Sequence, residues 1–222
     1  SHTIFLAGDG TVRAVGDNWA GQLGDGSKEH RPQPVTLPIR GVRGVSAGGL
    51  HTLFLKADGT VFATGRNRDG QLADGGEDDR WVPTQVGLLG VRAVSAGHQH
   101  STFILEDGSV FAAGYNFYGQ LGSGSSEAIV RSPVKTRIEG VARASAGGHH
   151  TLFLTRNGSM FACGWNQFGQ LGDGSILQRS TPGLVPSPAV QAVAAGYLHS
   201  AWRESGGEVY AVGHNAYGQL GD

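Results

Sequence analysis

The most constraining feature of the chain is its self-similarity. His2, His51, His100, His150 and His199 each open the same kind of stretch, at intervals of 49, 49, 50 and 49 residues. A period of this length marks a row of like units, each burying its apolar faces against its neighbours. The unit reads as β structure. His51 to Gly65 is HTLFLKADGTVFATG, His100 to Gly114 is HSTFILEDGSVFAAG and His150 to Gly164 is HTLFLTRNGSMFACG. In each, two apolar, β-rich runs flank Asp58-Gly59, Asp107-Gly108 or Asn157-Gly158, dipeptides that supply the positive φ a tight hairpin turn needs. Asp9-Gly10 stands at the same place in the first copy.

A glycine-rich loop follows every hairpin: GDNWAGQLGDG from Gly16, GRNRDGQLADG from Gly65, GYNFYGQLGSG from Gly114, GWNQFGQLGDG from Gly164 and GHNAYGQLGD from Gly213. Only the second copy breaks the frame, with Ala73 in place of glycine. A short proline-bearing run comes next, near Val35, Val86, Val134 or Val185, then a run of small residues ending at Gly48, Gly97, Gly147 or Gly196. The period therefore holds about four strands, the content of one propeller blade, and the small residues suit the innermost strand, where blades converge. Helical repeats of similar length need apolar residues at three-to-four spacing, which is absent.

The pattern G-x-N-x-x-G-Q-L-G, followed later by S-A-G-x-x-H-T/S, resembles the repeat of the regulator of chromosome condensation family, and five loop copies spread it over essentially the whole chain. The resemblance implies a seven-bladed ring. We therefore expect an all-β propeller segment of about four and a half four-stranded blades, cut at both ends and left as an open arc. Its repeats run over about 2–50, 51–99, 100–149, 150–198 and, partially, 199–222. The open blade edges favour self-association.

Seventeen basic residues against eighteen acidic ones leave no field to attract nucleic acid, and no apolar run is long enough to span a bilayer. We expect neither nucleic acid nor membrane as a partner. A single cysteine, Cys163, excludes an internal disulfide and suits an intracellular setting, nuclear or cytoplasmic. Its equivalents in the other hairpins are Val15, Thr64, Ala113 and Val212, so it reads as a core filler. The GQLGDG loops lack the following helix of a phosphate cradle. His98, His100, His149 and His150 lie close in sequence, yet no Cys or carboxylate recurs with them at ligand spacing. No metal, cofactor or catalytic residue is assigned, and the chain is expected not to be an enzyme.

A repeated frame leaves specificity to the positions that vary within it. In the loops these are rich in aromatics and arginine: Trp19, Arg66, Arg68, Tyr115, Phe117, Tyr118, Trp165, Phe168 and Tyr217. Such side chains dominate protein interfaces. Among the connecting segments, Asp78, Asp79, Arg80 and Trp81 form the densest cluster. The expected function is a protein-interaction scaffold. The resemblance implies two alternatives: guanine nucleotide exchange on a Ran-like small GTPase, in which the propeller does no bond chemistry, or the propeller portion of a HECT-type ubiquitin ligase. The related plant UV-B photoreceptors would need tryptophan in the inner turns, which here read GGLHT, GHQHS, GGHHT and GYLHS.

Overall fold

The computed structural model describes residues 1–222 and contains β-strands and turns only. The first sheet holds β1 (His2–Leu6), β2 (Val12–Gly16) and β3 (Arg31–Thr36). Three four-stranded sheets follow: β4 (Val42–Ala47) to β7 (Arg80–Gln85) with β5 (His51–Lys56) and β6 (Val61–Gly65) between them; β8 (Val91–Ala96), β9 (His100–Leu105), β10 (Val110–Tyr115) and β11 (Ile129–Lys135); and β12 (Val141–Ala146), β13 (His150–Thr155), β14 (Met160–Gly164) and β15 (Arg179–Val185). The last sheet has β16 (Val190–Ala195), β17 (His199–Glu204) and β18 (Val209–Gly213). All pairings are antiparallel between strands consecutive in sequence. Successive sheets are neighbours, and the first and last do not close on each other, so the architecture is an unclosed β-propeller. Each four-stranded sheet draws its inner strand from the end of one sequence period and its other three strands from the next.

Position within the blade explains composition. Outer strands β3, β7, β11 and β15 carry Pro32 and Pro34, Pro83, Pro133 and Pro182, tolerable because an edge strand need not donate every N–H. The fourth residue of each hairpin points into the space between sheets. Phe54, Phe103 and Phe153 are fully buried and Trp202 nearly so, whereas Phe5, with no sheet before it, is 48% exposed.

Two hydrogen-bond systems tie blade to blade. Nε2 of His2, His51, His100 and His150 lies 2.8–2.9 Å from the hydroxyl of Thr52, Ser101, Thr151 and Ser200 on the next sheet. Each hydroxyl donates its one proton to the backbone carbonyl of Gln22, Gln71, Gln120 or Gln170 in the loop of the preceding unit. The hydroxyl can then only accept from imidazole, so each ring is the neutral Nε2–H form. Buried Nδ1 atoms of His51, His100 and His150 without partners agree with this. The small glycines make room: a Cβ on Gly48 or Gly97 would stand 2.5 Å from Cε1 of His51 or His100. Nearer the axis, Ser46, Ser95 and Ser145 accept from the backbone N–H of Ala96, Ala146 and Ala195 on the next blade.

Ala73, the one departure from the loop frame, has φ 59°, left-handed backbone that glycine adopts more cheaply. Its neighbourhood accounts for it. A Cβ on Gly24 would meet Thr64 Cγ2 at 3.0 Å, and one on Gly122 would meet Cys163 Sγ at 3.0 Å. The equivalent facing residue for Ala73 is Ala113, in the same buried cluster, which frees the space its methyl fills.

Ala113→Thr should therefore lower stability by about 1–3 kcal/mol, with most of the loss recovered on adding Ala73→Gly. Equal and additive losses in a denaturation cycle would refute this pairing. The histidines also set a pH dependence. Burial, with neighbouring charge adding to it, holds His51 and His100 at about 3 and His2 and His150 at about 4, against 6.5 for a free imidazole. The folded state rejects a proton that the unfolded chain accepts, so stability is complete above about pH 6.5 and falls as pH drops toward 4. Each histidine contributes up to about 1.4 kcal/mol per pH unit. His100→Gln should melt lower at pH 7.5 yet lose less between pH 6.5 and 4.5; an unchanged slope would count against the relay.

Candidate protein-docking face

The loops after each hairpin and the short turns before it emerge on one face, because β5 starts and β6 ends there, as their equivalents do in the other sheets. Asparagine is the keystone of each loop. Oδ1 of Asn18, Asn67, Asn116, Asn166 and Asn215 accepts from the N–H of Leu23, Leu72, Leu121, Leu171 and Leu220. Their amide nitrogens donate across the loop, to Asp222 in the fifth copy and to Asp25, Asp74 and Asp173 in three others. Those three carboxylates are held by Arg31, Arg80 and Arg179 at 2.6, 2.8 and 2.6 Å. Burial alone would raise the three carboxyls, but bonds from arginine and the loop, with asparagine adding to them at Asp25 and Asp74, leave each below its ordinary value. The loop glutamines brace the other side, Oε1 accepting from the N–H two residues earlier. A rigid frame thus leaves three side chains in each of loops two to five, and two in loop one where Ala20 is buried, free to face outward.

Over the last three loops these side chains form one connected sheet of rings. Tyr115, Phe117 and Tyr118 touch one another, with centroids 5.1–6.4 Å apart. Tyr118 meets Trp165 at 5.5 Å, Trp165 meets Phe168 at 5.5 Å, Phe168 meets His214 at 4.8 Å and His214 meets Tyr217 at 5.9 Å. The inner turns complete it. His149 packs within 6.1 Å of five rings: His98, Tyr115, Tyr118, Trp165 and Tyr197. His98 and Tyr197 meet edge to face at 5.1 Å although a whole blade separates them in sequence. They reach each other over Gly148, where a Cβ would collide with the Tyr197 carbonyl. Burial lowers the His98 and His149 imidazoles, so this centre is uncharged at neutral pH.

Of the residues singled out by sequence, Phe117, Tyr118, Phe168 and Tyr217 belong to this network, and Phe117 and Tyr217 are 62% and 90% exposed. Trp19 and Arg68 are exposed on loops one and two, outside it. The Asp78–Trp81 cluster lies apart. Asp78 is exposed, Asp79 accepts from the Asn67 N–H, Arg80 pairs with Asp74, and Trp81 packs on Gly21 beneath the Lys28 ammonium, 4.2 Å from its ring centroid. Asp79 and Arg80 thus hold loop two. Sequence reasoning passed over His98, His149 and Tyr197 as members of this ring network. Their signal was variation inside the otherwise constant inner turns.

The sequence matches the model of the RCC1-like domain over residues 1–222. No curated protein matches it. Among solved structures, it is similar to human WBSCR16 (27% identity, TM-score 0.90, covering 100% of this chain and 61% of that one). It is similar to Prp20p from Saccharomyces cerevisiae, described with its binding properties to Gsp1p and histones (25% identity, TM-score 0.88, covering 99% and 57%). Yeast RCC1 (Prp20) bound to Kap60 shares the fold (23% identity, TM-score 0.87, covering 96% and 54%). The chain thus spans little more than half the length of these proteins.

These matches correct the expectation that the chain is not an enzyme. That expectation rested on the want of a nucleophile, triad or ligand set. The match to the RCC1-like domain removes that ground, because the nucleotide exchange that the family resemblance implies would proceed by differential binding and break no covalent bond.

Proposed function

The chain belongs to the RCC1-like domain family, and on that premise we propose that it is a protein-docking propeller sector that promotes guanine nucleotide exchange on a small GTPase of the Ran type, inside the cell. The observation that carries this reading is the continuous aromatic face of loops three to five. Exposed rings held by a rigid frame bury large area at little entropic cost, which is what makes such residues binding hot spots. A surface that grips the nucleotide-free GTPase more tightly than the loaded form accelerates release by that difference in affinity. The likeness to Prp20p, described with its binding to Gsp1p, supports the choice of partner.

The test is release of labelled GDP from a Ran-like GTPase in the presence of the full chain. Release should accelerate, and Phe117→Ala with Phe168→Ala should each weaken the effect about tenfold or more without moving the melting temperature by more than a degree or two. No acceleration would dispose of the exchange proposal, and no binding of the nucleotide-free GTPase would dispose of that partner altogether.

A further inference from the structure

The aromatic face has a charge pattern of its own. None of the nine variable positions in loops three to five is Lys, Arg, Asp or Glu, whereas loops one and two carry Asp17, Arg66, Arg68 and Asp69. Elsewhere in the chain, rings are covered by cations from the protein itself: Lys28 stands over Trp81 and Lys56 lies 5.4 Å from the Phe62 centroid. No ammonium or guanidinium of the chain covers a ring of the aromatic face. The electron-rich faces there are preorganised and have no cation of the chain over them, and the adjoining His98 and His149 carry no competing charge at neutral pH. At the rim, the Asp69 carboxylate is already engaged by Gln99 at 3.0 Å and Arg66 at 3.4 Å, so it is not free to claim an incoming cation.

The rings also have a shape. Tyr115 and Phe117 lie with planes 18° apart and centroids 6.4 Å apart, near-parallel plates on the exposed side of loop three. A guanidinium is flat, weakly hydrated and stacks on aromatic faces, where an ammonium is compact and strongly hydrated. We propose that loop three is a seat for an arginine side chain presented by the protein partner, stacked on Tyr115 and Phe117. The inference rests on the reading of this face as a protein-docking surface and adds the chemistry it selects.

The test uses the full chain with carbon-13-labelled Tyr and Phe rings. The probe is the tripeptide acetyl-Gly-Arg-Gly-amide, with its citrulline analogue as the uncharged isostere. Saturable shifts of the Tyr115 and Phe117 signals are expected, with arginine about fivefold tighter than citrulline and the preference lost in Phe117→Leu, whose exposed ring makes the change harmless to folding. Equal response to both peptides, no saturable shift, or a preference that survives Phe117→Leu would overturn the seat. The two readings separate cleanly. Arginine binding without accelerated GDP release sinks the exchange proposal and keeps the seat; accelerated release with a silent arginine peptide sinks the seat alone.

Discussion

The relay from imidazole to hydroxyl to loop carbonyl is the constraint on which the rest of the molecule depends. It joins three pieces that sequence keeps apart: the first residue of one hairpin, the second residue of the next, and the loop lying between those hairpins. A four-stranded sheet this small cannot bury both faces by itself, so each blade is stable only when docked. Apolar packing of Phe54, Phe103, Phe153 and Trp202 between sheets supplies most of the driving force but is nondirectional. The relay adds direction. It sets the distance between neighbours, fixes the tautomer of every ring and, through the glutamine carbonyl, pins each loop to the blade that follows.

Pinning the loops is what turns a scaffold into a surface. Asparagine, glutamine and glycine close each loop largely through backbone groups, and apart from the buried Ala20 the variable positions of the G-x-N-x-x-G run face outward. The chain fills them unevenly. Loops one and two bear charge, loops three to five bear rings, and the inner turns alternate glycine with His98 and Tyr197 so that two large side chains meet above a small one. The resulting asymmetry turns one arc of a repetitive structure into a site distinct from the others.

Much of this was legible before any coordinates. Alternation and the Asp-Gly or Asn-Gly turns located the first four hairpins, the prolines located the outer strands, and the asparagines announced local bonding. Other features had no local signature. The inner strand pairs with the hairpin of the following period, so sheet and sequence repeat are out of phase. Asp79 and Arg80 looked like interface residues because they are charged and variable; their bonds to Asn67 and Asp74 are visible only once the loop is folded. Ala73 looked like an irregularity until its partner, Ala113, was found on a different blade. The expectation of no catalysis rested on a search for reactive side chains, and the exchange proposed above would proceed by differential binding and need none.

By itself the sequence determined the unit: its length, its strands, its turns and its membership of a family, because these follow from periodicity and from the few residues that tolerate left-handed backbone. Only the tertiary structure decided which variable side chains become neighbours. Contacts such as His98 with Tyr197, or His149 with five rings at once, are set by the angle between blades, and that angle arises from packing and relays between residues some fifty positions apart, beyond the reach of any local pattern.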